Sequence, residues 1–165
     1  MKELFIVRHG PAGKPLEDKK LDEARPLTKK GKEKMKDIVK GLSDMDISFD
    51  MIVTSPLARC AESADILSKC CSGKKGVEPV DALKPGGSID DLIGYLNALD
   101  GVENVAIVGH EPFLSEFASY CLAKSKNSFI DLKKGGVIAL EFGGMIKPGT
   151  GKLCWMMEPA QLIGA

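Results

Sequence analysis

The chain has 165 residues, 44% of them hydrophobic and 28% charged, and its 23 basic and 23 acidic side chains leave no net charge. That length suits one domain, 1–165, with a real core, and the composition is that of an ordinary globular protein. A neutral chain lacks the bulk field of a nucleic-acid or membrane-surface binder, no apolar run approaches a membrane span, and "MKELFIV" is too short and too quickly charged for a signal peptide.

The first apolar run, Leu4 to Val7, reads as a buried strand that ends abruptly in Arg8, His9, Gly10 and Pro11. A polar stretch, "GPAGKPLEDKKLDEARP", follows and is too long for a plain connector; loops of that length are often functional. A helix starts near Thr28, a natural N-cap, with Met35, Ile38, Val39 and Leu42 on one face. The strand "DMIVTS" leads into "SPLARCAESADIL", where Ser55 can cap and Pro56 suits the first helical position. A short strand is expected around "VEPVDAL". "SIDDLIGYLNAL" is a helix opened by Ser88 and Asp91 in an S-x-x-D box, with Leu92, Tyr95, Leu96 and Leu99 on its apolar face. The strand "NVAIVGH" runs into the helix "PFLSEFASYCLA", and "GGVIALEF" and "KLCWMMEP" read as a hairpin across a Gly/Pro-rich connection. Strands alternating with helices imply an α/β fold: a single-domain three-layer sandwich, a mostly parallel central sheet with helices on both faces.

Cys60, Cys70, Cys71, Cys121 and Cys154 show no CxxC spacing and are odd in number, which favours free thiols in a reducing, cytoplasmic setting. With two histidines and no paired cysteines, a zinc site is not expected, and no metal or cofactor is called for. The arginines say more. Only Arg8, Arg25 and Arg59 are arginine among the 23 basic residues. Lysine serves as a solvated charge, whereas the planar guanidinium fork suits bidentate binding of phosphate or carboxylate.

In open α/β sheets ligands bind outside the carboxyl ends of the strands. Arg8 and His9 lie at the end of the first strand, Arg59 in the first turns of the helix after the second, and His110 at the end of "VAIVGH". Three segments therefore bring two arginines and both histidines to one sheet edge, beside helix N-termini. A lone histidine is ordinarily a hydrogen-bonded structural group; this shared placement points instead to a cationic pocket for a compact anion, most simply a phosphoryl group. Other phosphate chemistries fit badly. No arginine follows any cysteine as a cysteine phosphatase requires, "DMDIS" reads as a helix end and turn, and no G-x-x-x-x-G-K-[ST] occurs.

"RHG" after the N-terminal strand, the arginine of "SPLARCAESA" and the late "GH" together resemble the histidine phosphatase superfamily. "RPLTKKG", "LKPGGSIDDLIGYL", "VAIVGHEPFLSEF" and "LCWMMEP" extend the resemblance over nearly the whole chain to the small SixA-like phosphohistidine phosphatases. The resemblance implies a phosphoglycerate mutase-like, or histidine phosphatase, fold. It implies His9 as nucleophile, with its second ring nitrogen held by a backbone carbonyl near Gly10. Arg8 and Arg59 would clamp the phosphoryl oxygens, a protonated His110 would donate to them, and Gly10 would permit a tight turn and close approach. Arg25 would stand at the pocket rim, although a structural ion pair explains it nearly as well.

Larger members of the superfamily carry an acid that protonates a leaving alcohol, often in an L-x-E motif; here Pro85 of "DALKPG" stands in that place. Alkoxide leaves poorly without an acid, whereas imidazole leaves neutral once protonated. Glu111, Glu17 and Asp18 are the remaining carboxylate candidates, read first as solvated or capping charges. The expected function is therefore hydrolysis of phosphohistidine on a protein, a phosphotransfer domain or a phosphocarrier, with an open cleft and a monomer by default. A small-molecule phosphomonoesterase and a non-catalytic phosphate-binding module are the alternatives.

Overall fold

A strand that is apolar on both faces must be covered on both sides. In the computed structural model, which describes residues 2–70 and 75–164, the first strand, β1 (Lys2–Arg8), is covered in this way. Leu4 and Ile6 point into one core layer, Phe5 and Val7 into the other, and all four are buried. Around β1 the chain builds a six-stranded sheet from β2 (Met51–Thr54), β3 (Val77–Pro79), β4 (Asn104–Gly109), β5 (Val137–Phe142) and β6 (Lys152–Met157). The order is β3-β2-β4-β1-β5-β6. The β1–β4, β2–β4 and β2–β3 pairs are parallel, while β1–β5 and β5–β6 are antiparallel. The expected late hairpin is thus present, with a register shift between Ala139 and Leu140.

Helices α2 (Lys29–Asp44), α3 (Ala58–Leu67) and α6 (Pro159–Gly164) cover one face; α4 (Ile89–Ala98) and α5 (Phe113–Ala123) cover the other. Thr28 caps α2 by accepting from the Gly31 N–H, and Met35, Ile38, Val39 and Leu42 are all buried as their spacing requires. Ser88 caps α4 by accepting from the Asp91 N–H. Two helices escaped the sequence reading. The long first loop contains a five-residue helix, α1 (Lys19–Glu23), capped by Asp18, and the chain ends in α6. One start signal was misplaced: α3 begins at Ala58 with Leu57 as N-cap, and Ser55 Oγ, which stands ahead of that cap, accepts from the Leu57 N–H at 3.4 Å and also meets His110. Cys60, Cys70, Cys121 and Cys154 are free thiols; Cys71 lies outside the described residues.

The segment after β1 is seated on the start of α2. A Cβ on Gly31 would lie 2.0 Å from the Pro11 carbonyl oxygen, and one on Gly10 would lie 2.8 Å from the Met35 side chain. Gly10 is therefore required for close approach to α2 rather than for a left-handed turn, since its φ is not among the positive values. Alanine at position 31 would gain about 1 kcal/mol of helix propensity. A backbone clash at 2.0 Å outweighs that gain. Gly31→Ala should lower the unfolding free energy by about 1–3 kcal/mol, the usual cost of overpacking. An unchanged midpoint in urea would show that the Pro11 segment yields freely.

Candidate active site

The register of the parallel sheet decides where the site lies. Arg8 of β1 pairs with Gly109 of β4, and Val108 pairs with Thr54 of β2. The residues one step beyond are His9, His110 and Ser55, delivered side by side at the carboxyl edge. Adjacent strands lie about 4.8 Å apart. The His9 and His110 rings accordingly meet edge to face, with centroids 5.4 Å apart. Both are buried, retaining 6% and 4% exposure, so the site is less open than the sequence suggested. Part of the reason is the first loop, whose α1 folds against Arg59: the Asp22 carbonyl accepts from Arg59 Nη1 at 3.0 Å.

His9 Nδ1 lies 2.7 Å from the Gly10 carbonyl oxygen. A carbonyl only accepts, so Nδ1 carries the proton and the Nε2 lone pair is left available. Burial holds the His9 pKa down to about 4, helped by the charges of Arg59, Arg8 and Lys134 and opposed by the Gly10 bond. His110 Nε2 lies 2.8 Å from Ser55 Oγ and 3.3 Å from Cys60 Sγ. Its pKa is pushed down to about 3, first by burial and then by Arg59, His9 and Arg25, with Asp22 opposing. In the free protein both rings are neutral near pH 7, because each is buried beside guanidinium groups; the protonated His110 of the resemblance belongs to a site holding a phosphoryl anion. Burial raises the Cys60 thiol to about 12, which keeps it protonated near pH 7.

Arg59 sits on the first turn of α3, 6% exposed, with its Nε buried and unpartnered. A buried donor left unmatched costs about 1–3 kcal/mol, a cost that an anion would relieve. The helix is tied to the carboxyl edge of the sheet by Ser63, whose hydroxyl donates to the Arg59 carbonyl at 2.7 Å and accepts from the Gly10 N–H at 3.1 Å. That amide is therefore already engaged. Arg8 donates through Nη1 to the Leu132 carbonyl at 2.9 Å, while its Nε is buried without a partner. Arg25 braces the first loop, donating to Asp22 Oδ1 at 3.0 Å and to the carbonyls of Ala12 and Gly13 at 2.8 and 3.1 Å. Both readings of Arg25 hold some ground: it makes a structural ion pair, and its charge reaches Arg59 and His110.

The sequence reading missed Asp22 and Ser63. Asp22 joins the two arginines, with Oδ1 on Arg25 Nε and Oδ2 3.5 Å from Arg59 Nη2. The Leu16 N–H, and after it Arg25 and Arg59, hold its carboxyl below the usual range. The i,i+3 spacing of Asp22 and Arg25, and the one-turn spacing of Arg59 and Ser63, were the available signals. The carboxylates that the sequence did offer are occupied or peripheral. Glu111 accepts from the N–H and hydroxyl of Ser115 at the start of α5, Asp18 caps α1, and Glu17 is exposed. Among the described residues no three His, Cys, Asp or Glu side chains converge as metal ligands, and no helix is long and apolar enough to cross a membrane.

This geometry has relatives. Residues 4–84 match the family model of the histidine phosphatase superfamily, branch 1. An uncharacterized protein of Picosynechococcus sp. is 32% identical over 145 residues, covering 86% of each chain. The phosphohistidine phosphatase SixA of Escherichia coli K12 is 26% identical over 163 residues, covering 97% of this chain and 96% of its own. A structure of the protein histidine phosphatase SixA complexed with tungstate superposes with a TM-score of 0.83 at 22% identity, over 97% of this chain and 99% of the other. The chain belongs to the histidine phosphatase superfamily. Within that class it is SixA-like in sequence and in fold.

The neutral histidines have a measurable consequence. The unfolded chain protonates both rings below about pH 6.5. The folded one resists until about 4 at His9 and about 3 at His110. Their contribution to stability is fully present above pH 6.5 and is lost as pH falls towards the folded values, by up to roughly 1.4 kcal/mol per pH unit for each ring. Imidazole proton NMR should show both rings still neutral at about pH 5. Ring titration near 6.5 in the folded protein would contradict the burial argument.

Proposed function

We propose that the protein is a phosphohistidine phosphatase. It hydrolyses phosphohistidine on a partner protein, such as a phosphotransfer domain or phosphocarrier, without a metal and through a covalent intermediate on His9. The observation that carries the reading is His9 itself: a neutral ring whose Nδ1 is held by the Gly10 carbonyl, 5.4 Å from a second neutral histidine.

The chemistry follows from these atoms. The substrate imidazole is protonated by solvent on its free nitrogen; His9 Nε2 attacks phosphorus, the P–N bond breaks and that ring departs neutral. Water then attacks phosphorus on His9 and gives up a proton to solvent, the new P–N bond breaks, and inorganic phosphate is released with Nε2 restored. Arg59 and Arg8 supply the cationic donors for the phosphoryl oxygens, a task in which positioning and electrostatics do most of the work. A neutral His110 still carries one N–H and donates a single hydrogen bond. Gly10 contributes close approach of the backbone, and Arg25 holds the loop from which Asp22 orients Arg59.

The choice of substrate rests on the proton. An ester needs a protonated acid at the leaving oxygen. The carboxylate that faces both Arg25 and Arg59 is Asp22, and it is held ionised. Imidazole has no such need. The relation to SixA over the full chain supports the same substrate class. We further assign the whole chain, 1–165, to one catalytic domain, acting as a cytoplasmic monomer in signalling or transport relays.

Phosphate release from a phosphohistidine protein and from an alkyl phosphate, with chelator present, tests the assignment. Release should come from phosphohistidine at a rate at least about a hundredfold above the ester, and His9→Ala should lower it by more than about a thousandfold, the scale of losing a nucleophile. Normal turnover by His9→Ala would sink the mechanism. Efficient, carboxylate-dependent release from the ester would transfer the protein to the phosphomonoesterases, and binding without turnover to the phosphate-binding modules.

A further inference from the structure

Against Arg8 and Pro11, which flank His9 and Gly10 in the chain, lies a cleft of about 460 Å³ that the chemistry above leaves unused except for one wall, Arg8. Its other charged lining groups are Lys34, Lys133, Lys134 and Glu158. In a chain with no net charge, this is a local excess of positive charge. Lys133 has a neighbour, with its Nζ 3.2 Å from Asp131 Oδ2, but the pair is exposed and weak.

The lysines are fixed relative to the catalytic dipeptide. The turn that carries Lys133 and Lys134 is bonded onto it: the Gly135 N–H is shared between the Arg8 and His9 carbonyls at 3.0 and 3.2 Å, and the Arg8 N–H donates to Gly136 at 3.2 Å. Lys34 projects from α2, the helix on which the segment after His9 rests. Arg8 thus links cleft and site, and its Nε is buried without a partner. The remaining walls are Pro11, Pro159 and Ala160, which offer no aromatic face for stacking a base.

We infer that this cleft docks an acidic segment of the phosphorylated protein, Asp or Glu side chains flanking the phosphohistidine, and so selects the partner. The inference rests on the proposed function for its substrate but concerns a separate surface. Charge complementarity of this kind acts through encounter and orientation and weakens with salt.

Two peptides of equal length test it, one with glutamates and one with glutamines flanking a histidine, both phosphorylated with phosphoramidate. Binding to His9→Ala, followed by fluorescence anisotropy, does not depend on turnover. The glutamate peptide should bind about fivefold more tightly at low salt, and the preference should vanish in Lys34→Gln/Lys133→Gln, on the scale of two exposed charge pairs. Lys134, whose charge reaches His9, is kept. Hydrolysis of phosphoramidate itself by the double variant in the His9 background should be unchanged. Equal binding of the two peptides would overturn the docking proposal even if both are hydrolysed. Preference for the glutamate peptide without any hydrolysis would overturn the proposed function and leave the cleft assigned. Tighter capture of a single-stranded oligonucleotide of equal charge would assign the surface to nucleic acid and overturn it for protein.

Discussion

The parallel register between β1 and β4 is the constraint on which the site depends. With Arg8 opposite Gly109, the next residue on each strand is a histidine, and the spacing of neighbouring strands sets the distance between the rings. A slip of one residue would turn the apolar alternation of β1 inside out, sending Leu4 and Ile6 to the layer that now holds Phe5 and Val7. The two core layers therefore hold the carboxyl edge of the sheet in place. The same packing buries the rings, and that burial keeps them neutral.

Neutrality divides the labour of the site. A protonated His9 has no lone pair to offer, and a protonated His110 would add to a charge already supplied by guanidinium groups. Burial next to arginine settles both proton states in one stroke, because arginine alone among the cations keeps its charge in such surroundings. The cost falls on Arg59, whose Nε is buried unmatched and which is steadied by Asp22. The loop between β1 and α2 carries Asp22 for this purpose, so its length reflects a task.

The alternation of strands and helices, the buried faces of α2 and α4 and the late hairpin were legible in the sequence because each is a local pattern. The edge holding Arg8, His9, Arg59 and His110 was legible because a parallel sheet places successive strand ends together. What escaped was long-range or too short for periodicity. Nothing local marks Ser55 as a partner of His110, 55 residues away, or Ser63 as a bridge to Gly10. Helices of five and six residues carry too few turns to show a periodic face. The His110 charge in the free protein was hidden for a related reason: its reference pKa is local, while the burial and arginine that move it are not.

The missing acid and the basic cleft are complementary features of one small scaffold. A phosphatase for small esters needs a protonated carboxyl near the leaving oxygen and walls that enclose its substrate. This chain keeps Asp22 ionised against two arginines and commits Glu111 to the start of α5. The cleft proposed to dock the partner carries four basic side chains and one acidic one, and is joined to the site through the backbone of Arg8 and His9. A substrate whose leaving group needs no strong acid, and whose identity lies in the protein around it, suits both features. Under the proposed function, selectivity comes from the surface beside the phosphoryl group, and the phosphoryl pocket can remain as plain as two histidines and the guanidinium groups beside them.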